Sequence, residues 1–350
     1  MILLRILLLP FSWLYYLVTQ IRNRLYDQGL RPSVKFDLPV ISVGNLAVGG
    51  TGKTPMVEYL IRLLLTRFRV ATLSRGYGRT TRGFRIIGDS DTADTAGDEP
   101  YQFYTNFAEN ITVAVGEERA LAIPLILQER PEVNVVLLDD AFQHRSVTPN
   151  FSILLTDYNK PFFTDFLLPS GRLRESRWNA KRADVIIVTK CPADISADEM
   201  LSTEKNIRTY TEKPVFFTSI RYGQPLPFLT SPTAPPRRVV LISGIANAEP
   251  LEAYVKQNYT LIRHFIFNDH HKYQVKDVES FIAMAGNDPG LSFLTTEKDK
   301  AKLHVPSFHG IIGSHPFYYI PIEVDFIKNG QDFDEMVLDL VKRVQNEKHE

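Results

Sequence analysis

Cysteine is almost absent from this 350-residue chain, which contains only Cys191. A single thiol cannot form an internal disulfide or a cysteine cage for zinc, so we expect a reducing compartment and a buried structural role for Cys191. An excess of charge of either sign is absent as well, because 40 basic side chains balance 40 acidic ones. Without a net positive field, the composition does not favour nucleic acid as a partner.

A long uninterrupted hydrophobic run is also missing. The N-terminal segment MILLRILLLPFSWLYYLV is apolar and aromatic, but Arg5 and Pro10 interrupt it. Three interpretations of this segment are possible at first. A membrane-spanning helix needs about 20 apolar residues, and a signal peptide carries its charge before the apolar run. An ordinary core helix packs its apolar stripe against its own protein. We favour a fourth interpretation, in which residues 1–30 form an interfacial helix on a membrane. The side chains expected near headgroups and anionic lipid are Trp13, Tyr15, Tyr16, Arg22 and Arg24.

The region after this segment alternates between strand and helix patterns. Residues 38–45 (LPVISVGN) are apolar and β-branched, and residues 54–68 have helical periodicity. Further apolar runs follow in RVATLSRG, NITVAVG, VNVVLLDDA, FSILLTD and ADVIIVTK. This order predicts an α/β fold with a mostly parallel sheet and helices on both faces. The proline-rich stretch YGQPLPFLTSPTAPPRR then predicts a boundary between a domain over residues 31–225 and a smaller C-terminal α/β domain over residues 236–350.

The segment SVGNLAVGGTGKTP, residues 42–55, lacks one glycine of the phosphate-binding P-loop pattern, because Ala47 stands at that position. The glycines that remain can supply the unusual backbone conformations that direct amides at phosphate before a helix. Lys53 would then reach the β- and γ-phosphates, and the Thr54 hydroxyl would bind Mg²⁺. A tight glycine turn with an incidental lysine is the alternative. The predicted contacts to ATP phosphates are Ala47, Val48, Gly49, Gly50, Thr51, Gly52, Lys53 and Thr54.

Two adjacent acids follow an apolar strand in VVLLDDAFQHR. Asp139 and Asp140 stand where a Walker-B carboxylate holds Mg²⁺ directly or through water, and the sequence does not distinguish between them. Two solvated loop acids are the alternative interpretation. His144 and Arg145 come next, and we expect them to form structural hydrogen bonds.

Eight motifs in chain order give the sequence a specific resemblance. VGNLAVGGTGKTP, LSRGYGR, GDEP, LLDDAFQHR, LLPSGRLRES, SGIANAEP, FNDHHKY and TTEKDKAKL together resemble the tetraacyldisaccharide 4'-kinases of lipid A synthesis. The resemblance implies a P-loop NTPase-like fold and transfer of the γ-phosphate of ATP, with Mg²⁺, to the 4'-hydroxyl of a tetraacylated glucosamine disaccharide 1-phosphate. It also implies a peripheral or monotopic location at the cytoplasmic face of the bacterial inner membrane. The expected partners are this lipid A precursor and the membrane surface, with no obligate protein partner.

The same resemblance assigns roles to residues in two motifs. Asp98 in GDEP corresponds to a general base, and Glu99 assists the metal or ATP. His270 in FNDHHKY corresponds to a partner of Asp98 from the second domain, so the active site would be an interdomain cleft with Asp98, His270 and Lys53 as its catalytic residues. Considered alone, AGDEPYQFY is equally a helix start with acids at its positive end.

Arginines on glycine-containing loops are candidates for acceptor recognition. Arg75 in RGYGR, and Arg172 and Arg174 in PSGRLRES, could bind phosphate or sugar oxygens in a bidentate manner. Structural ion pairs are the alternative for each of them. The TTEKDKAKL motif gives no physical assignment for Glu297, Lys298 or Asp299.

Two other function classes remain open from the residues. One is a P-loop ATPase switch coupled to a protein partner at the membrane, although Val48 occupies the position where such switches carry a lysine. The other is a non-catalytic nucleotide-binding membrane adaptor. Only a kinase would form a new phosphomonoester together with ADP.

Overall fold

The computed structural model describes residues 2–228, 236–284, 288, 290–313 and 315–347. The helices are α1 (Ile2–Asp27), α2 (Lys53–Leu64), α3 (Ala93–Ala96), α4 (Asp98–Phe107), α5 (Arg119–Glu129), α6 (Ala197–Arg208), α7 (Glu249–Asn258), α8 (Val275–Ala283), α9 (Glu297–Leu303), α10 (Pro306–Ile312) and α11 (Gly330–Glu347). The strands are β1 (Val40–Asn45), β2 (Val70–Ser74), β3 (Arg85–Ile86), β4 (Thr112–Val115), β5 (Val135–Asp139), β6 (Phe151–Asp157), β7 (Val185–Thr189), β8 (Val215–Tyr222), β9 (Leu226–Pro227), β10 (Arg238–Ser243), β11 (Thr260–Ile266), β12 (Leu291–Thr296), β13 (Phe317–Ile320) and β14 (Ile322–Phe326).

The larger sheet has nine strands in the order β14-β8-β7-β6-β1-β5-β2-β4-β3. Its strands from β8 to β4 run parallel, and only the edge strands β14 and β3 are antiparallel to their neighbours. Ile41 packs with helix α2 on one face, whereas Val40 packs with helix α5 on the other. Because both faces are covered, β1 is buried along its whole length and has no polar alternation. The predicted α/β fold with a mostly parallel sheet is confirmed.

The second sheet has five strands in the order β11-β10-β12-β13-β9. Its first four strands are parallel, and the short β9 pairs antiparallel with β13. The phenyl rings of Phe293 and Phe317 stack in its core with centroids 4.6 Å apart. Strands β9 to β13, with helices α7 to α10, form the unit that we call the second-sheet unit.

Residues after the second sheet return to the first one. Strand β14 pairs with β8, and Phe333 of α11 packs against Phe216 and Tyr59 of the larger unit. The predicted C-terminal domain of residues 236–350 is therefore too long, because β14 and α11 pack with the P-loop sheet. The chain passes from the first sheet to the second after β8 and returns just before β14. These two segments lie side by side, since the Gly223 amide donates to the Pro321 carbonyl at 2.8 Å.

Helix α1 docks on the larger unit through polar side chains. The Ser12 hydroxyl donates to the Leu167 carbonyl at 3.0 Å, and the Tyr15 hydroxyl donates to the Arg174 carbonyl at 2.9 Å. The Arg22 guanidinium donates to a backbone carbonyl at 2.7 Å and lies 3.6 Å from a Glu175 oxygen. Tyr15 and Arg22 therefore contact protein, although the sequence predicted that they face lipid.

The opposite side of α1 is apolar and exposed. The exposed side chains Leu7, Phe11, Leu14, Val18 and Ile21 recur at intervals of three and four residues, so they share one helix face. An ordinary core helix has the reverse arrangement, with its apolar stripe inward. No helix in the described ranges is both long and apolar enough to cross a membrane.

Candidate active site

The loop between β1 and α2 leaves a run of backbone amides without partners. Within the described chain, the amides from Gly49 to Thr54 make no hydrogen bond. Gly49, with φ 111°, and Gly52, with φ 81°, adopt the conformations that turn successive N–H groups in one direction. Such amides at a helix N-terminus form an anion-binding site. The backbone therefore fits a row of phosphate groups.

The carbonyl groups of this loop are held by polar side chains from its own strand and from β7. Asn45 Nδ2 donates to the Ala47 carbonyl at 2.6 Å and to the Thr51 hydroxyl at 2.8 Å. Thr189, the last residue of β7, donates from its hydroxyl to the Thr51 carbonyl at 2.9 Å. These bonds orient the peptide groups so that the carbonyls face protein and the amides remain free.

Two predicted phosphate contacts differ from expectation. The Val48 amide donates to the Arg172 carbonyl at 2.8 Å, so it is not free for phosphate in this conformation. Gly50 does not adopt positive φ, and its carbonyl accepts a hydrogen bond from Lys190 Nζ. A Cβ added at Gly50 would lie 3.8 Å from Ala246 Cβ, so the second-sheet unit reaches the tip of the loop.

Lys53 and Asp140 form an ion pair at the start of α2. The buried Lys53 Nζ lies 3.7 Å from Asp140 Oδ1. Arg174 Nη1 donates to both Asp140 carboxylate oxygens, at 2.9 and 3.0 Å. Two predicted cations and one predicted acid thus lie together beside the phosphate-binding amides.

Asp139 is buried at the end of β5 and keeps one oxygen without a partner. The Ser74 hydroxyl donates to Oδ2 at 3.2 Å, whereas Oδ1 has no hydrogen bond within the described residues. Burial, followed by the negative charges of Glu99 and Asp140, raises the pKa of the Asp139 carboxyl well above its usual value. A buried carboxylate with a free oxygen fits a hard divalent cation such as Mg²⁺.

The predicted metal residues do not all form one cluster. Thr54 lies in the first turn of α2, and Glu99 lies in the first turn of α4, where its charge acts on Asp139. Within the described residues, no group of three or more His, Cys, Asp and Glu side chains could hold a metal. This arrangement fits a magnesium site that takes only one or two protein ligands and relies on nucleotide phosphates for others.

Asp98 and His270 meet across the cleft between the two units. His270 Nδ1 lies 2.9 Å from Asp98 Oδ2, although the two residues come from different units. Burial acts to raise the pKa of Asp98, but the hydrogen bond with His270 and the charges of Lys302 and Lys298 outweigh it, so the pKa is lowered. The Asp98 carboxyl is therefore an anion at neutral pH.

Comparisons with known proteins identify the family of this chain. A family model described as Tetraacyldisaccharide-1-P 4'-kinase matches residues 4–342. The chain belongs to the tetraacyldisaccharide-1-P 4'-kinase family. A tetraacyldisaccharide 4'-kinase from Flavobacterium johnsoniae is 41% identical over 97% of this chain and 98% of its own length. One from Bacteroides thetaiotaomicron is 40% identical over 96% of this chain and 93% of its own length.

A solved structure is similar as well. The crystal structure of LpxK from Aquifex aeolicus in complex with ATP superposes with a TM-score of 0.75 and 30% sequence identity. The match covers 97% of this chain and 99% of that one. The similarity to a kinase of this family extends over both sheets. The assignments of fold and family are therefore supported by nearly the whole chain.

The remaining predicted arginines lie in different surroundings. Arg75 is exposed directly after β2, and its charge acts on Arg119 and His144. Arg172 bonds through Nε to Asp165 at 2.7 Å, which is the structural ion pair considered as the alternative. Of these three arginines, Arg174 contacts another predicted site residue, because its Nη1 donates to Asp140.

The sequence did not indicate two buried cations that lie near the candidate site residues. Arg119 at the start of α5 is almost fully buried, and burial, partly opposed by the charges of Asp139 and Asp140, lowers its pKa to about 10. Lys302 on α9 lies 3.5 Å from Asp98. Arg119 comes shortly after strand β4, and this position was a usable signal for a site residue. The short helix α9 has too few residues for its sequence pattern to show that Lys302 is buried.

Proposed function

We propose that this chain transfers the γ-phosphate of ATP to the 4'-hydroxyl of a tetraacylated glucosamine disaccharide 1-phosphate in lipid A synthesis. The observations that carry the proposal are the free P-loop amides of Gly49 to Thr54 and the Asp98 carboxylate, which His270 of the other unit contacts at 2.9 Å. Family membership supplies the acceptor.

The P-loop and its neighbours supply charge neutralisation. Phosphoryl transfer depends on positioning and electrostatic stabilisation, because negative charge is spread over the transferred group. The loop amides bind phosphate oxygens, and Lys53 leaves Asp140 to contact the β- and γ-phosphates. Asp139 and the Thr54 hydroxyl would hold Mg²⁺, which neutralises the phosphate charge when it is bound.

Asp98 is the proposed general base. As the acceptor oxygen forms its bond to the γ-phosphorus, the hydroxyl proton passes to Asp98 and the bond to the bridging oxygen of ADP breaks. His270 donates to the other side of the same carboxylate, which keeps Asp98 oriented. A lowered pKa makes Asp98 a weak base, and this suits a transfer in which the proton leaves late.

Arg174 and Arg75 are the proposed contacts to acceptor oxygens. Arg174 already binds a carboxylate through Nη1, and a guanidinium can bind the oxygens of a phosphate group as well. Arg75 is exposed at the end of β2, beside the strand that carries Asp139. Arg172 contributes less, because Asp165 occupies its Nε.

The proposed location is the cytoplasmic face of the bacterial inner membrane. The apolar face of α1 would lie among lipid headgroups and upper acyl chains, as an interfacial helix does. Because Tyr15 donates to the backbone carbonyl of Arg174, the docked side of α1 lies close to the proposed acceptor site. A lipid acceptor could then remain in the bilayer while its sugar reaches the cleft.

One assay separates the kinase from the other two classes. The purified protein is incubated with ATP, Mg²⁺ and the purified lipid acceptor, and both ADP and lipid phosphomonoester are quantified. A kinase forms the two products in equal amounts, and Lys53→Ala abolishes both. ADP without lipid phosphate would favour an ATPase switch, and no turnover with intact ATP binding would favour an adaptor.

A further inference from the structure

Lys302 is a buried ammonium group beside the proposed base. It lies on α9 of the second-sheet unit, and its side chain is 6% exposed. Burial of a cation is costly unless nearby charges compensate it. Its Nζ lies 3.4 Å from Asp299 Oδ1 and 3.5 Å from Asp98 Oδ2. Lys302 thus connects an acid of its own helix with an acid of α4 in the other unit.

Asp299 has partners that do not involve Lys302. Its Oδ2 accepts the Gly244 amide at 2.9 Å and the Thr296 hydroxyl at 2.7 Å. These bonds stabilise the start of α9 and the end of β10. Neutralisation of Asp299 therefore does not by itself account for a lysine that also reaches the opposite unit.

Both partners of Asp98 reach the same carboxylate oxygen. His270 Nδ1 is 2.9 Å from Oδ2, and Lys302 Nζ is 3.5 Å from Oδ2. No hydrogen bond reaches Oδ1 from any residue of the described ranges. Two groups on one oxygen restrict rotation of the carboxylate and leave the lone pairs of the other oxygen available.

We propose that Lys302 is a positioning residue for phosphoryl transfer, which together with His270 holds Oδ2 of Asp98 so that Oδ1 accepts the acceptor's hydroxyl proton. The proposal rests on the role proposed above for Asp98. The Lys302 ammonium is buried against Asp98 and Asp299, so we assign it an effect on the reaction through the geometry of Asp98. Because the ammonium belongs to the second-sheet unit, the base is fully oriented only while the two units are in contact.

Lys298 differs from Lys302 although it lies on the same helix. Its Nζ is 2.9 Å from Asp269 Oδ1 and 3.4 Å from His270 Nε2. It therefore contacts the far side of the imidazole and not Asp98. Lys300 is more distant still, because its Nζ lies over the Tyr319 ring at 4.1 Å. Lys300 is thus a suitable control for the loss of a lysine from α9.

The test is a double-mutant cycle between Lys302→Met and Asp98→Asn, with kcat and the KM for ATP measured on the full chain. We expect Lys302→Met alone to lower kcat at least tenfold and to change this KM less than twofold. In the Asp98→Asn background, we expect the same substitution to lower kcat less than twofold, since there is no base left to position. Lys300→Met should leave kcat within twofold of the original.

A purely structural lysine gives a different pattern. Equal losses in both backgrounds, or a Lys302→Met enzyme with unchanged kcat, would overturn the proposal while leaving Asp98 as the base. A fully active Asp98→Asn would overturn both roles. If Lys302→Met does not fold, Lys302→Gln replaces it in the same cycle, and failure of both variants to fold would assign Lys302 a structural role instead.

Discussion

Ala47 occupies the position at which the phosphate-binding loop departs from its usual pattern, and the backbone gives the physical reason. Ala47 is not among the residues with positive φ in the described chain, whereas Gly49 and Gly52 are. A Cβ is strained only where the backbone is left-handed, so alanine causes no strain here. The sequence could predict that the remaining glycines suffice, but it could not show which of them carry the unusual conformations.

The two acids of the DD motif should respond differently to magnesium. We expect Asp139→Asn to raise the Mg²⁺ concentration for half-maximal activity at least tenfold, because Asp139 has the free buried oxygen. Asp140→Asn should mainly raise the KM for ATP, because Lys53 and Arg174 then lose the carboxylate that positions them beside the loop amides before the phosphates bind. Magnesium titrations at saturating ATP, and ATP titrations at saturating Mg²⁺, measure the two effects, and the opposite pattern would exchange the roles.

A second pair of acids lies buried where the two units meet. Asn106 Nδ2 donates to Glu58 Oε1 at 3.1 Å and to Glu297 Oε1 at 2.8 Å. Burial, followed by the charge of Glu297, raises the pKa of Glu58 to about 7. The charges that face this pair are Arg62 and Lys300, and Gln102 adds a further hydrogen bond at 3.0 Å.

This pair predicts a pH dependence of stability. Because the folded-state pKa of Glu58 is raised from 4.5 to about 7, the folded protein binds more protons than the unfolded chain between these values. Stability from neutral Glu58 is therefore complete below pH 4.5 and is lost as the pH rises through about 7. We expect Glu58→Gln to reduce the fall in Tm between pH 5 and pH 8. Each kcal/mol of unfolding free energy that is lost lowers Tm by roughly 2–4 °C.

The matched control is Glu323→Gln, which alters an exposed acid paired with Arg221. It should leave the pH dependence of Tm unchanged, because an exposed ion pair contributes little. Thermal unfolding of the three proteins across this pH range makes the comparison. If Glu58→Gln and the original protein lose the same Tm between the two pH values, the buried pair does not determine the dependence.

Helix α1 has its polar stripe inward and its apolar stripe outward, and this makes a prediction about vesicles. We expect replacement of Leu7, Phe11 and Leu14 together by Gln to weaken binding to vesicles of phosphatidylglycerol and phosphatidylethanolamine. Each embedded side chain contributes on the order of 1.5–3 kcal/mol, so the combined loss should exceed a hundredfold. Co-sedimentation measures it.

The control for α1 is Leu121→Gln, which changes an exposed leucine on α5. It should bind vesicles as the original protein does, and both variants should bind ATP normally, since the P-loop lies outside α1. Binding of the triple variant equal to that of the control would remove α1 from membrane attachment. Complete release of the original protein by high salt would argue against apolar insertion.

Helix α11 packs on the larger unit, which contains the nine-stranded sheet and the P-loop, although it lies more than 100 residues after β8 in the sequence. Phe333→Ala should destabilise the protein by about 3–5 kcal/mol, because it removes a fully buried phenyl ring. Hydrogen exchange should rise in α2, β8 and β14. Phe293→Ala in the second sheet should instead raise exchange in β10 and β12, and a Phe333→Ala pattern confined to the second sheet would contradict this assignment.

Local pattern predicted the elements better than their assembly. The run at residues 38–45 became β1, and the periodic segment at 54–68 became α2 as far as Leu64. Strand β14 was missed as a partner of β8, because five residues of alternating character do not specify which of two sheets they join. Lys302 was missed for a related reason, because packing between residues distant in sequence decides whether a cation is buried.

The return of the chain to its first sheet has a consequence for biosynthesis. Strand β14 covers the edge of β8 but is synthesised roughly 100 residues after it, or about 5–20 s later at ribosomal speeds. During this interval a parallel sheet with apolar strands has an unpaired edge, which is a template for wrong pairing. The nascent P-loop half therefore keeps an edge open to wrong pairing until residues 322–326 form β14.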